Sequence, residues 1–373
     1  MFSSLWFRAI AIVITASLAV VAGLYFFAVP VAQQIAVQSA EHVFTQNKLN
    51  VLVLGYQDDE KTTDSIILAH LDLTRRTATL VSIPRDTWVA IPHLGNAKIN
   101  AAYEVDGAKS SAGVVSTLLG GPHIDTTIAL EPEGAAQIVD ALGGLNVDVD
   151  EDMDYDDNYG ALHIHLKKGE QFLTGSQVVG YMRFRHDAAS DFGRVRRQQQ
   201  VAKLMIDQLS QPQNWAKLPR ILQFARKDVK TPLDDRKLAA LLEIYRYVPD
   251  ENVRTFTLPG KPGWVGDASV VFVDPRWAAT IGRILFAKTD PPQDNVLVAN
   301  ATGDAAFDKT IVGALRGAGW NVGTFVDQPP RDKSIVIGTS PTAKALAKLF
   351  ALSVQPGKQT TLLLGSDLAP NAP

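Results

Sequence analysis

The sequence predicts an α/β protein with a central mixed β-sheet flanked by helices as an α+β sandwich, an N-terminal transmembrane helix, and a second, smaller α/β domain at the C-terminal end. Short apolar runs of strand length alternate with segments of helical apolar spacing, which is typical of this class. A long uncharged apolar segment lies near the N-terminus. Pro291-Pro292 separates a last, compact alternation of strands and helices from the rest.

The first three strands carry the strongest pattern. Residues 50–55 are apolar after Asn50 and end at Gly55, which predicts a buried strand. Residues 65–72 and 77–83 predict two more strands joined by a short connection, as in a hairpin. Further strands are predicted at residues 178–185, 253–258, 270–273, 295–299, 320–326, 334–337 and 360–364, and helices at 113–121, 132–142, 194–209, 215–226, 236–247, 275–286, 305–318 and 341–352.

Residues 9–29 predict a membrane anchor because they carry no charge and, at about 1.5 Å per residue, cross the roughly 30 Å hydrocarbon core. A cleaved secretory signal is the alternative, although Pro30-Val31-Ala32 is a poor cleavage site. Arg8 precedes the segment and the next cation is Lys48, so the N-terminus is expected in the cytoplasm and the rest of this single-pass chain outside the cell membrane. The expected divisions are tail and anchor (1–29), stalk (30–47), main domain (48–288), linker (289–294) and C-terminal domain (295–368).

Composition and missing patterns exclude several functions. The net charge of −3 gives no global field that attracts nucleic acid, and the lack of cysteine excludes disulfides and thiol chemistry. GxxxxGK[ST], GxGxxG and GxSxG are missing. The acidic stretch 148–157 lacks the glycine and glutamate positions of a calcium loop, and His163-x-His165 has no third ligand nearby, which leaves zinc a minor option.

Five arginines lie within fifteen residues of each other: Arg183, Arg185, Arg194, Arg196 and Arg197. Guanidinium groups stay charged and present a planar fork of donors, which suits a phosphate ligand. If residues 178–185 form a strand, the first two share a face, and the helical spacing of Arg194, Arg197 and Gln198 places these three on one side of a helix start. The alternative is a solvated surface in which nearby aspartates pair with these arginines.

Other charged residues follow predicted strands. Arg85 and Asp86 come directly after the third strand, and Lys98 follows in a loop. Residues 57–64 are rich in carboxylates, the ligands that hold magnesium together with substrate phosphates. Each of these signals is weak alone, because most loop charges are simply solvated.

With an apolar anchor followed by Ser82-Ile83-Pro84-Arg85-Asp86, Lys98-Ile99-Asn100-Ala101-Ala102-Tyr103, Tyr181-Met182-Arg183-Phe184-Arg185 and Asp191-Phe192-Gly193-Arg194, the chain resembles the LytR-CpsA-Psr family of bacterial envelope proteins. The resemblance covers residues 50–210. Residues 295–367 resemble the small C-terminal domain that some members carry.

The resemblance implies a membrane-anchored phosphotransferase that moves a glycopolymer from a polyprenyl pyrophosphate carrier to peptidoglycan, with Mg²⁺ or Mn²⁺ as cofactor. Residues 48–288 become its catalytic domain. The acceptor hydroxyl would attack the sugar-side phosphorus, and polyprenyl phosphate would leave. The alternatives are a polyprenyl pyrophosphate pyrophosphatase and a noncatalytic protein that binds lipid or cell wall. A transcriptional regulator has no support, because no helix-turn-helix or basic face is visible.

Carried over to this sequence, the resemblance assigns catalytic roles to Arg85, Arg183 and Arg185, and pyrophosphate binding to Arg85, Lys98, Arg183, Arg185, Arg194, Arg197 and Gln198. The expected metal ligands are Asp64, which matches a family aspartate, and Asp58. Arg196 is expected to be a surface charge. Gln57 and Thr62 depart from the family aspartate and arginine, so Asp58 or Asp59 and Lys61 are their expected replacements.

Overall fold

The structure of the chain is a computed structural model. It describes residues 43–44, 46–57, 61–157, 162–184, 190–211, 214, 217, 221, 229–246, 248–287, 290–303 and 305–368, for some of which it describes only the backbone. Among the helices it describes, none has the length and apolarity to cross a membrane. The predicted anchor, residues 9–29, lies outside the described ranges, and so does most of the helix predicted at 215–226.

The described strands and helices alternate along the whole chain. The strands are β1 (Lys48–Gln57), β2 (Thr62–Asp72), β3 (Thr77–Ser82), β4 (Trp88–Ile91), β5 (Gly95–Lys98), β6 (Thr126–Leu130), β7 (Leu145–Val149), β8 (Met153–Asp157), β9 (Leu162–Leu166), β10 (Gly169–Leu173), β11 (Val229–Lys230), β12 (Val253–Thr257), β13 (Lys261–Val265), β14 (Ala268–Phe272), β15 (Val296–Ala301), β16 (Val322–Asp327), β17 (Ile335–Ile337), β18 (Val354–Gln355) and β19 (Thr361–Gly365). The helices are α1 (Ala102–Leu118), α2 (Pro132–Leu142), α3 (Gly175–Arg183), α4 (Ser190–Ser210), α5 (Asp235–Arg246), α6 (Pro275–Leu285), α7 (Ala305–Gly317) and α8 (Pro341–Phe350).

The central sheet is mixed, as predicted, with the strand order β11-β6-β1-β2-β3-β12. β1, β2 and β3 are consecutive antiparallel neighbours, which confirms the predicted hairpin between β2 and β3. β6 runs parallel to β1, and β12 runs parallel to β3. Consequently β1, β3 and β6 end, and β2 begins, at one edge of the sheet. This edge is called the site edge below.

Alternation along β1 sends its side chains to two different cores. Leu52 and Leu54 pack with buried residues of α1 and α6 on one face. Leu49 and Val51 pack with buried residues of α5 on the other. A separate apolar cluster joins α2, α3 and α4 to strands β7 to β10. Helices therefore cover both faces of the sheet, as the predicted sandwich requires.

The C-terminal unit has its own five-stranded sheet, in the order β16-β15-β19-β17-β18, flanked by α7 and α8. Its apolar residues continue the core that contains α6, where Ile281 belongs to the same cluster as Leu315 and Phe350. Asp290, in the predicted linker, contacts Lys48 at 2.7 Å. The two α/β units are thus packed together through apolar and charged contacts.

Two predictions about the arginine-rich segment were wrong. The segment predicted as a strand at 178–185 is helical through Arg183, because a capping box starts α3: the Thr174 side chain accepts from the backbone of Gln177, and the Gln177 side chain accepts from the Thr174 N–H. The next helix begins at Ser190 rather than near Arg194. Arg183 therefore lies in the last turn of a helix, and Arg194 lies past the first turn of another.

Candidate active site

The site edge brings together charged residues from separate strand ends. Asp64 lies near the start of β2, and Arg85 follows the end of β3, its neighbour in the sheet. The Ile83 amide donates to the Ile66 carbonyl at 2.9 Å, which extends the pairing of these strands almost to the two charged residues. The two side chains form an ion pair in which each is 18% exposed.

A β-bulge orients Asp64. Gly55 pairs with Ser65 and Tyr56 pairs with Thr63, so Asp64 is an extra residue without an opposite partner in the register. A bulge of this kind bends the strand and redirects a side chain, and bulges are common beside active sites. The main chain thereby turns Asp64 toward Arg85 instead of leaving it in the regular alternation.

The ion pair extends to a second pair, between Asp86 in the turn after β3 and Lys98, which lies at the end of β5 rather than in a loop as expected. Lys98 Nζ lies 2.8 Å from Asp86 Oδ1, and Arg85 Nε lies 3.8 Å from Asp86 Oδ2. The loop is held by main-chain bonds, since the Asn100 amide donates to the Arg85 carbonyl at 3.1 Å and the Ile99 amide to the Thr87 carbonyl at 2.8 Å. Two aspartates and two cations thus alternate in a group that is only partly exposed.

Arg85 keeps one donor for a ligand. Its Nε is buried and has no hydrogen-bond partner within the part of the chain that the structure describes. A buried donor that is not bonded costs about 1–3 kcal/mol, so such atoms call for an explanation. A ligand oxygen at this position would satisfy the donor.

The arginine-rich segment 183–197, called the second arginine cluster below, extends from the end of α3 into α4. Arg183 is half-buried at the C-terminal end of α3, where the helix dipole favours a cation. Gln198 is half-buried on α4, and Arg194 lies on the same helix with its side chain outside the described part. Arg185 and Asp58 lie outside the described residues altogether.

The burial of Arg197 differs from the expectation that its guanidinium faces a ligand. It is 0% exposed, donates to the carbonyl oxygen of Phe184, and lies 5.9 Å from the ring centroid of Tyr181. Tyr181 in turn donates to Gln200 Oε1 at 2.9 Å. Arg197 therefore joins α4 to the end of α3, and its neighbour Arg196 is an exposed cation paired with Asp150.

Sequence reasoning missed a second group at the site edge. The ring of Tyr56 stacks on that of Tyr103, with centroids 5.0 Å apart, and Lys230 Nζ lies 4.3 Å from the Tyr56 centroid. Burial raises the pKa of Tyr56 to about 12; a hydrogen bond with Lys230 opposes this effect, and one with Glu131 adds to it. Glu131 directly follows β6, and Arg85 likewise follows β3. This position after a strand is the sequence signal by which Glu131 could have been identified.

The histidines of the minor zinc option are paired with carboxylates. His163 Nδ1 lies 2.5 Å from Asp156 Oδ1, and His165 Nδ1 lies 2.6 Å from Asp154 Oδ1, all on the exposed β8–β9 hairpin. Among the residues that the structure describes, no group of three or more histidines and carboxylates is arranged to hold a metal ion.

Asp64 fits the chemistry of a magnesium site that is completed by substrate. Magnesium in phosphoryl-transfer sites is held by one or two carboxylates together with substrate phosphates and water. Asp64 supplies one such carboxylate, partly exposed and beside the unsatisfied Arg85 donor. Carboxylate oxygens such as those of Asp64 also suit Mn²⁺.

Comparison with known proteins identifies the family. The chain matches the LytR_cpsA_psr family over residues 27–283 and the domain described as "LytR cell envelope-related transcriptional attenuator" over residues 294–368. It is 31% identical to the polyisoprenyl-teichoic acid–peptidoglycan teichoic acid transferase TagV of Bacillus subtilis, over 61% of this chain and 60% of the relative. It is also 31% identical to the regulatory protein MsrR of Staphylococcus aureus strain Mu50, over 59% of this chain and 67% of the relative.

Solved structures support the same conclusion. The crystal structure of B. subtilis TagV matches with a TM-score of 0.57 and 28% identity, covering 64% of this chain and 97% of that one. The crystal structure of B. subtilis TagU matches with a TM-score of 0.52 and 25% identity, covering 66% of this chain and all of that one, 100%. The family match extends over more than half of the sequence, and the chain therefore belongs to the LytR-CpsA-Psr family.

Proposed function

We propose that this chain is a membrane-anchored, extracytoplasmic phosphotransferase that moves a glycopolymer from a polyprenyl pyrophosphate carrier to peptidoglycan and releases polyprenyl phosphate. One observation carries the proposal: Arg85 is fixed by Asp64 at the site edge and keeps a buried Nε–H that no described residue accepts. A phosphate oxygen is the strongest acceptor for such a donor. Lys98, about one-third exposed, brings a second cation to the same group.

In the proposed reaction, an acceptor hydroxyl attacks the sugar-side phosphorus of the pyrophosphate. A new P–O bond forms, the P–O–P bond breaks, polyprenyl phosphate leaves, and the hydroxyl proton passes to solvent. Arg85 and Lys98 would bind the pyrophosphate oxygens and stabilise the charge that develops on them. When bound through Asp64, Mg²⁺ or Mn²⁺ would neutralise part of that charge.

The second arginine cluster completes the proposed site. Arg183 and Arg185 would contact the pyrophosphate, together with Arg194 and Gln198. Arg197 has a different part, because its buried guanidinium holds the Phe184 carbonyl beside Arg183. It would support the position of α3 without touching the substrate.

The relatives support the class of reaction. TagV of B. subtilis and TagU of Bacillus mycoides carry names that describe transfer of teichoic acid to peptidoglycan, and each is 31% or 32% identical to this chain. The match spans 60% of TagV and 69% of TagU. The lipid carrier, the polymer, the acceptor and the membrane location of this chain therefore belong to the proposal.

The test uses the full chain in detergent or lipid nanodiscs with a polyprenyl pyrophosphate-linked glycopolymer, Mg²⁺ and peptidoglycan. Polyprenyl phosphate should appear in equal amount to polymer attached to the wall. Arg85→Ala should lower kcat/KM by about 100-fold or more, the usual cost of one oxyanion donor. Arg196→Ala, which removes an exposed cation paired with Asp150, should match the parent.

Two outcomes would contradict the transferase. Polyprenyl phosphate released without attached polymer would identify a pyrophosphatase. Lipid pyrophosphate bound without turnover at any Mg²⁺ or Mn²⁺ concentration would identify a noncatalytic binder.

A further inference from the structure

Polar residues follow one another along the site edge in the order of the strands. They are Lys230 on β11, Glu131 after β6, Tyr56 on β1, Asp64 on β2 and Arg85 after β3. The register supports this row, because Lys230 pairs with Ala129 on β6, and Leu130, which precedes Glu131, pairs with Gly55, which precedes Tyr56. The row leads from the Asp64–Arg85 pair to a lysine that the function described above leaves unused.

Lys230 reaches across the sheet toward that pair. Its strand lies two positions from β1 in the sheet, yet its Nζ lies 4.3 Å from the ring centroid of Tyr56 on β1. It stands on the same side of the sheet as α1, since Tyr56 also stacks on Tyr103 of that helix.

Lys230 itself is exposed, but the tyrosine that it contacts is buried and held in place. Tyr56 is 1% exposed, its ring is fixed against Tyr103, and its hydroxyl has hydrogen bonds with Lys230 and Glu131. Lysines on protein surfaces are mostly solvated and need no such support. A cation held over an aromatic face, beside a phenol that also bonds to a carboxylate, is pre-organised for an anion.

We propose that Lys230 is a further substrate-binding residue of this site, which donates to a phosphate oxygen of the lipid pyrophosphate, and that Tyr56 and Glu131 position its ammonium group. The inference rests on the proposed function, because it assigns a contact to the same lipid pyrophosphate.

Binding of a short-chain polyprenyl pyrophosphate to the full chain tests the inference, with turnover measured in parallel. Lys230→Met, which keeps the length of the side chain, should raise the Kd and the KM about tenfold through the loss of one charge-assisted hydrogen bond, with kcat changed less. Lys230→Arg should recover most of the affinity. Lys237→Met, an exposed lysine on α5, is the matched control and should bind like the parent.

Tyr56→Phe tests the positioning role, because it keeps the ring and removes the hydroxyl. It should raise the Kd about threefold, between the parent and Lys230→Met.

Unchanged binding and KM in Lys230→Met, with an active parent, would overturn the inference and leave the proposed transferase function intact. A parent that binds lipid pyrophosphate without turnover, and loses affinity in Lys230→Met, would overturn the transferase and leave the inference standing. Parent-like binding in Tyr56→Phe would overturn the role of Tyr56.

Discussion

Asp64 and Arg85 form an ion pair at the ends of two adjacent strands, and each side chain is 18% exposed. The aspartate reaches this position from a β-bulge, and the arginine from the turn that follows Pro84. Each side chain limits the orientations of the other, so the donor that Arg85 presents depends on Asp64. The pair links main-chain geometry to the proposed chemistry.

Asp64→Asn should impair both turnover and the response to metal. The change keeps the shape of the side chain but removes the charge that orients Arg85 and the carboxylate offered to Mg²⁺. We expect kcat/KM to fall by about 100-fold and half-saturation by Mg²⁺ to move to higher concentration. Turnover measured across a Mg²⁺ series checks this, with Asp207→Asn, which alters a surface pair with Lys203, as control. An unchanged Mg²⁺ response would remove Asp64 from the metal site.

Arg197→Met should destabilise the protein much more than Arg196→Met. Arg197 is fully buried, and its loss leaves the Phe184 carbonyl without this donor and removes the contacts with two aromatic rings. We expect a loss of about 2–4 kcal/mol in the free energy of unfolding for Arg197→Met, against under about 1 kcal/mol for the exposed Arg196. Urea unfolding of both variants measures the difference. Equal stabilities would contradict the supporting role of Arg197.

Stability should fall at high pH because of two buried tyrosines. Burial raises the pKa of Tyr56 from 10.0 to about 12, and burial followed by the charge of Asp150 does the same for Tyr181. The folded state holds these protons more tightly, so their contribution is complete below pH 10 and is lost as the pH rises toward 12. Each difference corresponds to about 3 kcal/mol of stability, which is fully lost only above the raised pKa.

Unfolding by urea at pH values from about 8 to about 11.5, a range that includes the ordinary tyrosine pKa of about 10, measures this slope. Tyr56→Phe and Tyr181→Phe should each flatten it. A parent whose stability does not change over this range would contradict the buried, protonated state of both phenols.

Gly282→Ala and Gly113→Ala should change stability in opposite directions. A Cβ at Gly282 on α6 would lie 1.8 Å from the carbonyl oxygen of Leu119 at the end of α1, which forces the two helices apart. A Cβ at the exposed Gly113 inside α1 meets nothing within 4 Å. We expect a loss of about 3 kcal/mol for the first change and a gain of about 0.5–1 kcal/mol for the second. Thermal unfolding of both variants tests the helix contact, which a stable Gly282→Ala would refute.

Local patterns predicted those elements whose determinants lie close together in the sequence. The hairpin of β2 and β3 could be predicted because two apolar runs flank a short connection. The capping box at Thr174 was equally local, but it was not used, and residues 178–185 were interpreted as a strand instead. Arg85, Asp86 and Lys98 were identified because they follow strand ends or belong to a motif, and the structure joins all three in one group.

The sequence by itself determined the fold class, the family and the residue types that suit a phosphate. Only the tertiary structure decided how these side chains are buried and which residues they contact. It buried Arg197 against Phe184, turned Asp64 toward Arg85 through a bulge, and brought Lys230 onto Tyr56. Burial and register depend on contacts between residues distant in sequence, whereas periodicity and motifs record only neighbours along the chain. That difference is the physical reason why the chemistry could be predicted before its geometry.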